Sequence, residues 1–250
     1  MRRFLTLIAW ATVFLAIFGA VALADTLIGT ESADTLSGTP GPDQLYGEAG
    51  DDTLTGGEGS DYIEAGSGND RVEGGPGLDL GIGGTGDDFV DAGSGDDVVY
   101  AGAGDDTVLG SSGADTLFGQ TGTDRLFGGS GADRIWAGLG DDFVDAGSGR
   151  DRISSDAGNV TVLAGAGNDV VTLTGGNATV RGGGGRDRIR TGTGADEVSG
   201  GTGADGIATG RGRDLVDARD GRRDRVRCGP GRDEVIADPF DVLAGCELVR

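Results

Sequence analysis

AGSGDDVVYAGAGDDTVLG, residues 92–110, states one phrase twice. Gly95-Asp96-Asp97-Val98-Val99 returns nine positions later as Gly104-Asp105-Asp106-Thr107-Val108. Stepping by nine from Asp34 to Asp214 visits 21 positions, of which 19 are Asp; the exceptions are Val160 and Ala178. Two residues before these positions stands Gly in 20 cases, with Ser32 the exception. Two residues after them stands Leu, Ile or Val in 20 cases, with Gly81 the exception. A period held this long without an insertion defines the architecture before any single element does.

Each unit reads small-Gly-x-Gly-x-Asp-x-apolar-x, as in Gly56-Gly57-Glu58-Gly59-Ser60-Asp61-Tyr62-Ile63-Glu64. The glycine half suits a tight turn with positive φ and close backbone approach. The second half is a three-residue strand with its apolar side chain facing in and its neighbours facing out. One such strand cannot bury a lone Leu or Val. Stacked copies can, because each apolar residue then lies on its counterpart in the next coil.

This pattern resembles the RTX, or haemolysin-type, calcium-binding nonapeptide repeat, over Gly29 to about Ile236. The resemblance implies an all-β fold, a right-handed parallel β-roll (a β-solenoid) with two nonapeptides per coil. It also implies calcium between neighbouring coils, held by repeat aspartates and glycine-turn carbonyls. The donor chemistry agrees. Calcium takes six to eight hard oxygen ligands, whereas the repeats contain neither the His nor the Cys that zinc and copper favour. A coil of two nonapeptides sorts the candidate ligands into two columns. One holds Asp34, Asp52, Asp70, Asp88, Asp106, Asp124, Asp142, Asp196 and Asp214. The other holds Asp43, Asp61, Asp79, Asp97, Asp115, Asp133, Asp151, Asp169, Asp187 and Asp205. Val160 and Ala178 fall in the first column, so one ladder is interrupted over two coils while the other continues. Carboxylates stacked about 4.8 Å apart repel by about 3.5 kcal/mol per pair at an effective dielectric of about 20. Many such pairs exceed the ~5–15 kcal/mol that stabilises a domain, so folding is expected to require the ion.

The chain has 250 residues, 54 glycines, no histidine and a net charge of −22. Such acidity argues against nucleic acid or anionic lipid as a partner. Residues 1–24 read as a signal peptide, with basic Arg2-Arg3, an apolar run and a small-x-small site at Ala22-Leu23-Ala24; the rival reading is a retained membrane anchor, since the run approaches the ~20 residues that span a bilayer. Export, and a secreted or cell-surface location, follow from the signal-peptide reading. Residues 25–236 are expected to form the roll and 237–250 a C-terminal cap. After Asp214 the register slips by one, restarting at Asp224 and Asp233. Cys228 and Cys246 are one coil apart, which predicts a disulfide in an exported protein.

Residues 25–145 hold 26 acids and 3 arginines, whereas 146–250 hold 16 acids and 15 arginines. The arginines are expected to pair with outward acids on neighbouring strands; a face for an anionic glycan is the bolder reading. Tyr100, Phe118 and Trp136 recur once per coil, which predicts a stacked aromatic ladder, structural or a surface for self-association. No catalytic constellation is present in the sequence. The function expected is that of an exported, non-enzymatic calcium-binding β-roll without a small-molecule substrate. The alternative is a calcium-dependent adhesin or glycan-binding surface protein, and a solenoid lyase or epimerase is a more distant third.

Overall fold

A computed structural model describes residues 24–250. The expected leader, apart from Ala24, lies outside the described residues. The described chain is a parallel β-solenoid, with no helix among its residues. Short strands alternate between two sheets of 13 strands, one running from Thr26–Ile28 to Val242–Ala244 and the other from Thr35–Ser37 to Leu248–Val249. A third sheet of five short strands, Ser130–Gly131 to Thr202–Gly203, joins successive glycine turns at one corner.

Register is set by the period. Gln44 pairs with Tyr62 and Thr53 with Arg71, each partner lying two nonapeptides further along the chain. The slip read after Asp214 appears as a coil lengthened by one residue, which pairs Gly206 with Arg225 and Leu215 with Glu234. Inside, two files of apolar side chains stack coil on coil. One runs through Leu45, Ile63, Val99, Leu117 and Ile135, the other through Leu54, Val72, Val90, Val108 and Leu126, all buried. Gly81 interrupts the first file and leaves only a small void between Ile63, Val72, Val90 and Val99.

The turns explain the glycines. Gly95 has φ +138°, and a Cβ there would lie 1.5 Å from the Gly77 carbonyl oxygen of the preceding coil. No other residue fits. Tyr100, Phe118 and Trp136 form the expected ladder, with ring centroids 4.7 Å apart at each step and nearly parallel planes. The inner faces of the three rings cover one another, while Trp136 remains exposed.

Residues 237–250 contribute the last strands of both large sheets, Val242–Ala244 and Leu248–Val249. Cys228 and Cys246 are disulfide-bonded, with Cα atoms 5.1 Å apart. The bridge ties the final coil to the one beneath it. Cys228→Ser/Cys246→Ser is expected to lose about 3 kcal/mol of stability through the larger unfolded ensemble. Alkylation and mass spectrometry of the unreduced protein should find no free thiol; two modified cysteines would contradict the bridge.

Candidate metal ladders

The Gly-x-Gly turn brings each repeat aspartate inward just before its strand begins. There its carboxylate is buried: Asp115, Asp124, Asp133, Asp151, Asp169 and Asp187 are fully inaccessible. The two sets of aspartates form two files of hydrogen bonds. In each rung the backbone N–H of one Asp donates to Oδ1 of the Asp one coil on, as Asp79 does to Asp97 and Asp97 to Asp115, at 2.8 and 2.9 Å. All sixteen pairs anticipated from the columns are present, at 2.7–3.0 Å.

Four further rungs extend the files, to Asp43 from Asp25, to Asp224 from Asp205, to Asp233 from Asp214, and to Asp241 from Asp224. Glu247 Oε2 ends the other file by accepting the Asp233 N–H at 3.0 Å. Asp25 stands one repeat before Asp34, and Asp224 and Asp233 follow the slip, so the period could have found these three. Asp241 and Glu247 stand off the period and carry no such signal.

Oδ1 is satisfied by the ladder; Oδ2 is not. From Asp52 to Asp233 the Oδ2 atoms of the laddered aspartates are buried without a hydrogen-bond partner. They also point at other oxygens. A Cβ placed on Gly47 would meet Asp52 Oδ2 at 2.5 Å and the Ala65 carbonyl oxygen at 2.3 Å, and one on Gly119 would meet Asp124 Oδ2 and the Ala137 oxygen at 2.5 and 2.4 Å. A carboxylate oxygen and a carbonyl oxygen thus converge on the space that only glycine or a small residue leaves open. Two acceptors with no hydrogen between them call for a proton or a cation. The donors are all hard oxygens, the set calcium prefers. No three carboxylates, thiols or imidazoles cluster among the described residues, so carbonyls would supply much of the coordination. The arrangement fits the ion that the resemblance implies. At the first rungs the pattern differs, because Asp34 and Asp43 Oδ2 accept the Thr30 and Thr39 N–H groups at 2.6 and 2.5 Å.

The interruption is a built feature. Val160 and Ala178 are buried where carboxylates stand elsewhere. Asp142 N–H donates instead to the Asn159 carbonyl at 3.0 Å, and Val160 N–H to that of Asn177 at 3.2 Å. Leu173, also buried, precedes Ala178 at the place in the repeat where most intact units carry Gly or Ala and those of Asp196 and Asp214 carry Thr191 and Thr209. Apolar volume therefore replaces the carboxylate.

An outer ladder, missed in the sequence, runs along the same column. The N–H of Asn69 donates to Asp51 Oδ1, Asp87 to Asn69, Asp105 to Asp87 and Thr123 to Asp105, at 2.8–2.9 Å. Past Asp141 it continues through Asn159 and Asn177 to Ala195. Its signal was the Asp or Asn that precedes most inner positions of this column alone. Where the inner file loses its charge, the outer file is asparagine, so both are neutral across the gap.

Burial pushes the inner aspartates up, to about 7 for Asp79, Asp88, Asp115, Asp124 and Asp151 and about 6 for Asp106, Asp187, Asp205 and Asp224. Neighbouring aspartates in the file add to this for Asp79 and Asp151. A folded-state pKa above the unfolded value means that the metal-free fold binds protons more tightly than the unfolded chain. Its stability is therefore lowest above about pH 7 and rises as pH falls toward 4. In chelator, acidification from pH 7.5 to 4 is expected to increase β structure by circular dichroism, a proton taking the cation's place at Oδ2. A metal-free chain that loses structure over that range would contradict the assignment.

The fold and these files define a class, a parallel β-solenoid lined by repeated acidic oxygen sites. Residues 28–63, 46–81, 73–108, 82–117, 109–144, 118–153, 145–180 and 181–216 match the model of the RTX calcium-binding nonapeptide repeat (4 copies), together spanning 28–216. The chain belongs to this family. No curated protein matches it.

Proposed function

We propose that this chain is an exported, non-enzymatic calcium-binding protein whose β-roll folds only as ions fill the spaces between coils. The ligands are the Oδ2 atoms of the laddered aspartates, from Asp52 through Asp142 in the interrupted column, Asp196 and Asp214 beyond the gap, and Asp61 through Asp205 in the other. Asp34 and Asp43 serve the first rungs. The observation that carries this reading is the file of buried, unpartnered carboxylate oxygens facing carbonyl oxygens. Calcium supplies the positive charge that lets these oxygens approach in a buried site. Membership of a calcium-binding repeat family and the signal-peptide pattern of residues 1–24 support the rest.

Native mass spectrometry of protein recovered from the medium tests both parts. The expected polypeptide begins at Asp25 and carries many calcium ions, approaching one per carboxylate rung, all removed by chelator. A chain retaining Met1 in a membrane fraction contradicts export, and a protein holding no more than two or three ions contradicts the ladders.

A further inference from the structure

The two large sheets present unlike outer surfaces. On the sheet that ends at Leu248–Val249, outward positions carry Glu73, Asp91, Asp145, Glu197, Asp217 and Glu234. On the sheet that ends at Val242–Ala244, the only outward acid among the described residues is Glu64. Yet this second surface carries Arg134, Arg152, Arg188, Arg190, Arg225 and Arg227. The expected pairing of arginines with outward acids is not found there. Ion pairs among the described residues involve Arg71, Arg219 and Arg250 alone. The chain is strongly acidic overall, and this face is its exception.

Arg134 pairs directly with Arg152, but from Arg152 onward the arginines alternate. Arg152 pairs in the sheet with Val170, Val170 with Arg188, Arg188 with Gly206 and Gly206 with Arg225. The turn positions follow the same rhythm, Arg150, Asn168, Arg186 and Ala204. Basic coils are thus separated by coils of small or neutral residues, and at about 4.8 Å per strand the basic rungs recur about every 10 Å. Over each intervening coil lies an open cleft. One, of about 390 Å3, is lined by Arg150, Asn168, Asp169, Val170, Arg186 and Arg188. The next, of about 320 Å3, lies over Gly206 and Ala208 between Arg190 and the pair Arg225 and Arg227. One guanidinium is partly engaged, as Arg186 Nε donates to the Ala204 carbonyl at 3.2 Å.

We infer that this arginine-runged face, over residues 150–227, binds an extended acidic polysaccharide bearing a carboxylate or sulfate on every second sugar. Guanidinium forks match such groups in bidentate geometry. The clefts between rungs are sized for the uncharged sugars between charges. The spacing argues against duplex nucleic acid, whose phosphates advance about 3.4 Å along the helix axis on each strand. The inference rests on the calcium-loaded roll, and circular dichroism of each sample reports that fold separately from binding.

The test uses calcium-loaded full-length protein and hyaluronan, which alternates uronate with neutral sugar. Saturable binding is expected. Arg188→Gln/Arg190→Gln should weaken it at least about tenfold and make the remaining affinity less sensitive to salt. Gly206→Leu removes no charge but fills a cleft; a Cβ there meets nothing closer than 3.9 Å, so the fold should persist while affinity falls. Arg125→Gln/Arg181→Gln, on the opposite sheet, should leave affinity within about twofold. If the double variant unfolds, the single Arg225→Gln carries the same expectation. No binding, equal loss in the opposite-sheet variant, single-stranded DNA bound as tightly, or self-association that needs no polysaccharide would each overturn the inference.

Discussion

Replacing Asp97 by Ala is expected to remove two calcium ions per molecule, whereas replacing Asp142 by Ala is expected to remove one. Asp97 stands between Asp79 and Asp115 in the unbroken file, its Oδ1 accepting from one and its N–H donating to the other. Asp142 accepts from Asp124, but its own N–H goes to the Asn159 carbonyl because Val160 offers no carboxylate. Both variants strand one buried N–H, a shared cost of about 1–3 kcal/mol. They differ in the ions lost, so Asp97→Ala should raise the calcium midpoint of folding more than Asp142→Ala. Asp115→Ala, with neighbours on both sides, should behave like Asp97→Ala. Ion counts by native mass spectrometry and folding midpoints by circular dichroism measure the difference. Equal ion loss and equal midpoint shifts for Asp97→Ala and Asp142→Ala would reject the column assignment.

Much of this was legible because a solenoid converts sequence period directly into space. When Asp43 and Asp61 are two repeats apart and pairing is parallel, stacking follows, and the interrupted column needs only Val160 and Ala178 to be read. Periodicity was silent where the chain leaves it. The closing contacts of Asp241 and Glu247 depend on how the last coil bends back to the disulfide. The split of each carboxylate between a laddered Oδ1 and an unpartnered Oδ2 was also out of reach, since spacing places a residue but does not assign its two oxygens. The outer Asx ladder and the arginine rungs were written in the sequence, but in one column only or on every second coil, a scale that a comparison of single nonapeptides averages away. The arginine pairing expected from overall composition is found only at Arg71, Arg219 and Arg250 among the described residues, for a related reason. Acids and arginines are both plentiful, but strand alternation sends most of them to different faces.

Withdrawal of calcium at neutral pH should collapse the fold. The roll buries carboxylates whose charged form is disfavoured by burial, and each coil contributes little more than one apolar side chain per strand to a thin core. Without cations, the files combine desolvation with repulsion of about 3.5 kcal/mol for each neighbouring pair at an effective dielectric of about 20, far beyond what that core can offset. Each ion needs two adjacent coils in place, so filling one site favours the next and the transition should be cooperative. The most direct measurement is far-ultraviolet circular dichroism at pH 7.5, first in chelator and then along a calcium titration. A largely disordered spectrum that converts cooperatively to β structure is the expected result; a β spectrum already complete in chelator and unchanged by calcium would contradict ion-coupled folding.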